Sequence, residues 1–189
     1  MRVPEGKIII QDARQEFASP ENVVAYLGKK EFSGYICAQH GAQRDFILME
    51  KGKVVSSFES IGPNFRLTSL EKVLERANQG GSIFVGELGE DMLEMTRVVL
   101  EQKRIFENLH SDFTRLRPFL VALQIDSGLG VIEMAGFTDY GCIFIKEGAP
   151  RNAFFFGENQ YSEGVEALES ILYEIDRGAH IINVYTRGG

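Results

Sequence analysis

Only two cysteines, Cys37 and Cys142, occur in the 189 residues. No disulfide framework can organise the fold, and reduced thiols in a cytoplasmic setting are expected. The sequence also lacks any uninterrupted apolar run long enough to span a bilayer, so no membrane partner is expected. Basic charge is in deficit: 20 Lys and Arg stand against 27 Asp and Glu, and the cations are scattered. Phosphate-binding surfaces show as basic patches or stripes, so no nucleic-acid partner is expected either. Low-complexity segments are missing, and the opening MRVPEGKIII has too short an apolar stretch for a signal peptide. What remains is an apolar fraction of 44% and a charged fraction of 25%, the values of an ordinary globular protein. The length suffices for one good core or two small ones.

An internal repeat organises the chain. A displacement of 96 places lays Leu27 on Leu123, Gly34 on Gly130, Ile36 on Ile132, Ile47 on Ile143, Gly52 on Gly148 and Phe58 on Phe154. A two-residue insertion then shifts the match, so that Leu70, Glu71 and Leu74 meet Leu168, Glu169 and Leu172, Gly80 meets Gly178, and Ile83 meets Ile181. The coincidences fall on turn glycines and core aliphatics. They predict an α+β protein made by internal duplication of an α-β-β-β-α-β module.

Local signals fill in each copy. Ser19 and Pro20 open a helix, with Val23, Val24 and Leu27 on one stripe. FSGYICA reads as a strand, and DFILMEKGKVVSSF as a hairpin around Lys51 and Gly52. A capping box, Thr68 with Glu71, starts a second helix that stops at Gly80, before the strand SIFVGEL. The second copy runs through RPFLVAL as helix, GLGVIEM as strand, CIFIKEGAPRNAFFF as hairpin, SEGVEALESILYEIDRG as helix and AHIINVY as strand. Pro150 should begin a strand or lie on an edge. KIII is read as an extra edge strand. Between the copies, Met92, Met95, Val99, Gln102, Phe106, Leu109, Phe113 and Leu116 alternate spacings of three and four, a heptad-like stripe. The plainer reading is a connecting helix over roughly Glu90 to Leu109; the sharper one is a dimer seam. The predicted organisation is a first repeat with its extra strand over 1–88, a connecting helix over 89–112 and a second repeat over 113–189.

The run of helix, F-x-G-x-I, apolar strand, Glu-Lys-Gly or Lys-Glu-Gly and second strand is carried by Phe32, Gly34, Ile36, Ile47, Leu48, Gly52, Val54 and Phe58. It resembles the PATAN-like domains, a prokaryotic group often attached to response regulators. The second half carries it more weakly, through Gly130, Ile132 and Gly148. The resemblance implies a signalling-associated adaptor acting through protein contacts, and supplies no catalytic residues. No receiver domain accompanies it here.

Signs of chemistry are sparse. Cys37 and His40 make a Cys-x-x-His, but zinc needs three or four ligands, so no metal site is predicted. The same pair, with Asp45, could be a catalytic constellation only if the strand bends between them, because residues three apart point to opposite faces. Gly80 and Gly81 follow a helix and precede a strand, the wrong order for a phosphate loop. Gly86 and Gly89 lie beside Glu87, Glu90 and Asp91, which would repel a phosphate. The TRGG end resembles the tail of a modifier, although the element order differs. No enzyme activity and no cofactor are expected; a Cys–His enzyme or a modifier-like protein is the alternative. The expected role is a cytoplasmic protein-interaction module, an adaptor or scaffold with protein partners and self-association. Its candidate contact residues are Val99 and Phe106 on the stripe and Phe154, Phe155 and Phe156 in the aromatic run.

Overall fold

The computed structural model describes residues 7–11, 19–61, 64–101, 104–112, 115, 129–158 and 160–187. The fold is mixed α+β, with four described helices and two antiparallel six-stranded sheets. The chain divides between Glu101 and Gln102 into two compact units.

In the first unit β1 (Lys7–Ile10) precedes helix α1 (Pro20–Lys29). Ser19 caps that helix by accepting from the Asn22 amide, and Pro20 occupies its first turn, as the sequence predicts. Strands β2 (Gly34–His40), β3 (Gln43–Glu50) and β4 (Lys53–Ile61) form a meander, extended by the short β5 (Asn64–Leu67) that the sequence reading did not foresee. Helix α2 (Leu70–Asn78) and β6 (Ser82–Glu87) follow. Its cap is Ser69, one residue after the Thr68 of the expected box: the Ser69 side chain accepts from the Lys72 amide. The sheet order is β1-β6-β2-β3-β4-β5. One face packs Ile36, Ile47, Met49, Ile83 and Val85 against Val23 and Leu27 of α1 and Val73 of α2. The unit closes with α3 (Glu90–Glu101), whose Met92, Leu93, Met95, Val98, Val99 and Leu100 are all buried.

The second unit has β7 (Arg104–His110), β8 (Leu129–Ala135), β9 (Tyr140–Lys146), β10 (Ala149–Phe156), β11 (Tyr161–Glu163), α4 (Val165–Arg177) and β12 (Ile181–Arg187). Its sheet order, β7-β12-β8-β9-β10-β11, repeats that of the first. Helix α4 lays Ala167, Ile171, Leu172 and Ile175 on Ile132, Met134, Ile143, Ile145, Ile182 and Val184. The expected helix in RPFLVAL, with Leu123, lies outside the described residues, as do Gln102, Phe113 and Leu116 of the stripe.

The likeness extends to irregularities. Both central hairpins turn on two residues of positive φ, Lys51 and Gly52 in one and Glu147 and Gly148 in the other. That pair defines the turn whose twist matches antiparallel strands. Both hairpins then carry a bulge at the same place, between the pairs Leu48–Ser56 and Met49–Val54, and between Phe144–Asn152 and Ile145–Pro150. Pro150 thus sits second in β10, beside a break in the ladder, where its missing N–H is tolerated.

The expected helix to Leu109 is corrected. The helix ends at Glu101, and residues 104–110 form β7, paired with β12. The strand has a partner ladder that a lone helical end would lack, and Asn108 takes a left-handed conformation, φ 54°, that breaks helical progression. Its amide donates to Asn183 Oδ1 at 2.9 Å.

Candidate functional site

The residues singled out from sequence scatter. Strand β2 runs regularly to His40, so Cys37 and His40 point to opposite faces and form no dyad. Cys37 is buried, and burial pushes its thiol up to about 12, the reverse of an activated nucleophile. Asp45 faces Arg76 of α2, 3.0 Å away. The aromatic run is corrected as a contact surface: Phe155 is buried against α4 in the core of its own unit, Phe154 is buried, and Phe156 is half-buried beside Tyr140 and Tyr161. Val99 is buried in α3, so the stripe offers no open seam there. Phe106 is exposed, but on a strand.

What the fold does assemble in the first unit is a charged centre. Asp45 and Glu59 are cross-strand partners on β3 and β4, both buried, and adjacent carboxylates repel. Arg76 bridges them: Nη1 donates to Glu59 Oε2 at 2.6 Å, and Nε lies 3.0 Å from Asp45 Oδ2, near enough to pair though not aligned as a hydrogen bond. Arg66 of β5 donates to Glu59 Oε1 from Nε at 3.0 Å, and Lys72 Nζ reaches the same oxygen at 3.4 Å. The Gln43 side chain and the Ser60 amide both donate to Asp45 Oδ1 at 3.3 Å. The cations, Arg66 foremost and then Arg76, hold the Glu59 carboxyl down to about 2.

Register fixes what stands at the matching places in the second unit. Gly141 pairs Phe155 as Asp45 pairs Glu59, and Glu174 precedes buried Ile175 on α4 as Arg76 precedes buried Ala77 on α2. Where the first unit has a charged centre the second is apolar, and the sign at the helix position is reversed. A second exchange lies at the end of β2 and β8. Gln39 pairs Ser82, which puts His40 opposite Gly81; Ala135 pairs Ile181, which puts Gly136 opposite His180. Histidine and glycine have swapped strands.

Around His180 three donor groups converge. Its Nε2 lies 3.0 Å from Asp139 Oδ2, and Glu174 completes a set whose ligand atoms all lie within 4.8 Å of one another. His180 is 6% exposed. Its backbone is fixed by Ser111, whose hydroxyl accepts from the His180 amide at 2.9 Å. Sequence reasoning missed this set because it searched around the cysteines. The three residues come from the β8–β9 turn, α4 and the approach to β12, far apart in the chain. A separate buried group joins Glu133 to Tyr185 and Asn183, whose side chains donate to its Oε2 at 2.6 and 2.9 Å. Cys142 donates to Tyr140 Oη at 3.2 Å, and burial raises both groups.

The outer strands match as well. Ile9 is skipped between the pairs Ile8–Gly86 and Ile10–Val85; Ile105 is skipped between Arg104–Tyr185 and Phe106–Val184. Both bulged isoleucines are 42% exposed. Ile8 and Phe106 beside them are exposed too. None of the described helices is long and apolar enough to cross a membrane. No family model matches the chain, and no curated protein or solved structure shows detectable similarity to it.

Proposed function

We propose that the chain is an internally duplicated β-α-β-β-β-β-α-β module. It acts as a non-enzymatic protein-interaction module, an adaptor or scaffold in a prokaryotic regulatory system, and it associates with itself. The resemblance to PATAN-like domains supports the prokaryotic regulatory setting, and the two free cysteines support the cytoplasmic one. One observation carries the interaction reading: each sheet ends, among the described residues, on an outer strand with a bulge at the same place and a bulged isoleucine half open to solvent. Exposed apolar side chains repeated on equivalent edges are a contact surface twice made. The bulges disfavour simple addition of a strand, so side chains rather than backbone ladders make the contact. The apolar contact residues are therefore Ile8, Ile9, Ile105 and Phe106; of the sequence candidates only Phe106 remains exposed.

Sedimentation equilibrium of the wild type beside Ile9→Lys with Ile105→Lys tests this reading. A wild-type oligomer that dissociates in the double variant, with unfolding unchanged, is the expected result. An oligomer of unaltered affinity in the variant, or a wild type that stays monomeric at high concentration, would refute it.

A further inference from the structure

The donors gathered around His180 have no counterpart among the described residues of the first unit, and they do more than pair a histidine with an acid. We propose that Asp139, Glu174 and His180 form a binding site for a divalent metal ion of the zinc class, peculiar to the second unit. The inference stands apart from the adaptor reading and does not need it.

The donor set comes first. One imidazole and two carboxylates suit zinc and its first-row neighbours, and three protein ligands leave a position open for water or an outside donor. Bonds of about 2.0–2.2 Å to nitrogen and oxygen place neighbouring donors roughly 3–3.5 Å apart. The 3.0 Å between His180 Nε2 and Asp139 Oδ2 already has that spacing. The 4.8 Å spread of the full set closes by rotation of the Glu174 side chain. That side chain sits on the helix surface, and its contact with exposed Arg177 is long, 3.6 Å.

Second, the imidazole is sealed. The His180 side chain is only 8% exposed, and its Nδ1 is buried without a hydrogen-bond partner. An ion shared between Nε2 and Asp139 leaves Nδ1 to carry the ring proton. Third, the site is shaped at Gly136. Its amide donates to the Asp139 carbonyl at 3.0 Å, which closes the turn and sets Asp139 in place. A Cβ at 136 would fall 1.9 Å from Asp139 Oδ1 and 2.7 Å from His180 Nε2. Glycine at that position makes room for the pair.

The first unit supplies the contrast. At the helix position of Glu174 it has Arg76, a built-in cation facing carboxylates. The second unit puts a carboxylate there, facing another carboxylate and a histidine. The positive charge that the first unit carries in its own chain would come to the second from solution. An ion so held would tie α4 to the β8–β9 turn and to the start of β12.

The test uses the full chain stripped of metal with a chelator and titrated with zinc chloride by calorimetry, with thermal unfolding in parallel. Cobalt(II) substitution gives an absorption spectrum that reports its ligands. One ion per chain and a rise in melting temperature are expected. Glu174→Gln should leave the metal-free melting temperature unchanged and weaken binding at least about ten-fold. Asp139→Asn and Gly136→Ala should weaken it as well, while His110→Ala should not. Binding at one site that survives both Glu174→Gln and Asp139→Asn would overturn the proposal, as would no stoichiometric binding at all; either result leaves an Asp–His pair only.

Discussion

Two matching places in the molecule have opposite chemistry. Where β3 and β4 meet α2, the first unit buries Asp45 and Glu59 under Arg76, Arg66 and Lys72. Where β9 and β10 meet α4, the second unit has Gly141 and Phe155, and the glycine leaves room for Ile171, which a Cβ at 141 would meet at 2.5 Å. One backbone thus accepts either solution, provided each is complete. An ion network is stable when every charge has its partner, and an apolar contact when no charge is left over. Exchanging single residues between the two should fail, for different reasons in each unit.

The largest effect should follow Phe155→Glu, which imports the acid of Glu59 without its cations and with Glu174 where Arg76 would stand. Loss of aromatic packing and burial of an unpaired carboxylate together should cost at least about 4 kcal/mol. Urea unfolding would measure it, and a variant of near wild-type stability would break the comparison. Partial recovery in Phe155→Glu with Glu174→Arg would sharpen it.

Next comes Arg76→Ala. Removing the bridge leaves buried Asp45 without a cation and Glu59 with Arg66 and Lys72 alone, and should destabilise the first unit by about 3 kcal/mol, the low end for a buried pair because Glu59 stays paired and Arg76 is partly exposed. In the metal-free chain the matching change Glu174→Ala should cost under about 0.5 kcal/mol, because the Glu174 ion pair with exposed Arg177 is long, 3.6 Å. Equal costs at the two positions would contradict the assignment of the charged centre to one unit only.

Acid should separate the units by a smaller margin. The Glu59 carboxyl is depressed from an ordinary 4.5 to about 2. Its contribution is therefore fully present above pH 4.5 and is lost as pH falls toward 2. Hydrogen exchange between pH 5 and pH 2.5 should show protection falling at β3, β4 and α2 before it falls at β9, β10 and α4. The smallest effects on stability should come from Ile9→Lys and Ile105→Lys, each within about 0.5 kcal/mol by thermal melts, because both side chains are half open to solvent.

Much of this architecture was legible. Turn glycines and alternating aliphatics gave the hairpins, and Ser19 with Pro20 marked α1. Other parts were hidden for identifiable reasons. The stripe from Met92 onward satisfies helical spacing, yet the displacement of 96 that aligns the cores also lays Ile8, Ile9 and Ile10 on Arg104, Ile105 and Phe106. Extending the match upstream would have shown β7 as the counterpart of β1. The match at Ile83 should also be moved: Ile83 pairs Ala38 as Ile182 pairs Met134, so the last strand is displaced by one residue more than α2 and α4 suggest. The polar centres could not be seen because their members come from separate strands and a helix, and only register brings Asp45 to Glu59 or His180 to Gly136. Phe155 looked available because FFF alternates faces; Ala167 and Ile171 of α4 cover the face it takes.

The most direct measurement of the central claim, that the second unit repeats the first down to its outer strand, is the backbone conformation of residues 104–110 in solution. The account predicts extended chemical shifts there by NMR, with cross-strand contacts from Leu109 to Ile182 and from Phe106 to Val184, and an irregularity at Ile105 that recurs at Ile9. Helical shifts running on from Glu101 through Leu109, without those contacts, would contradict it.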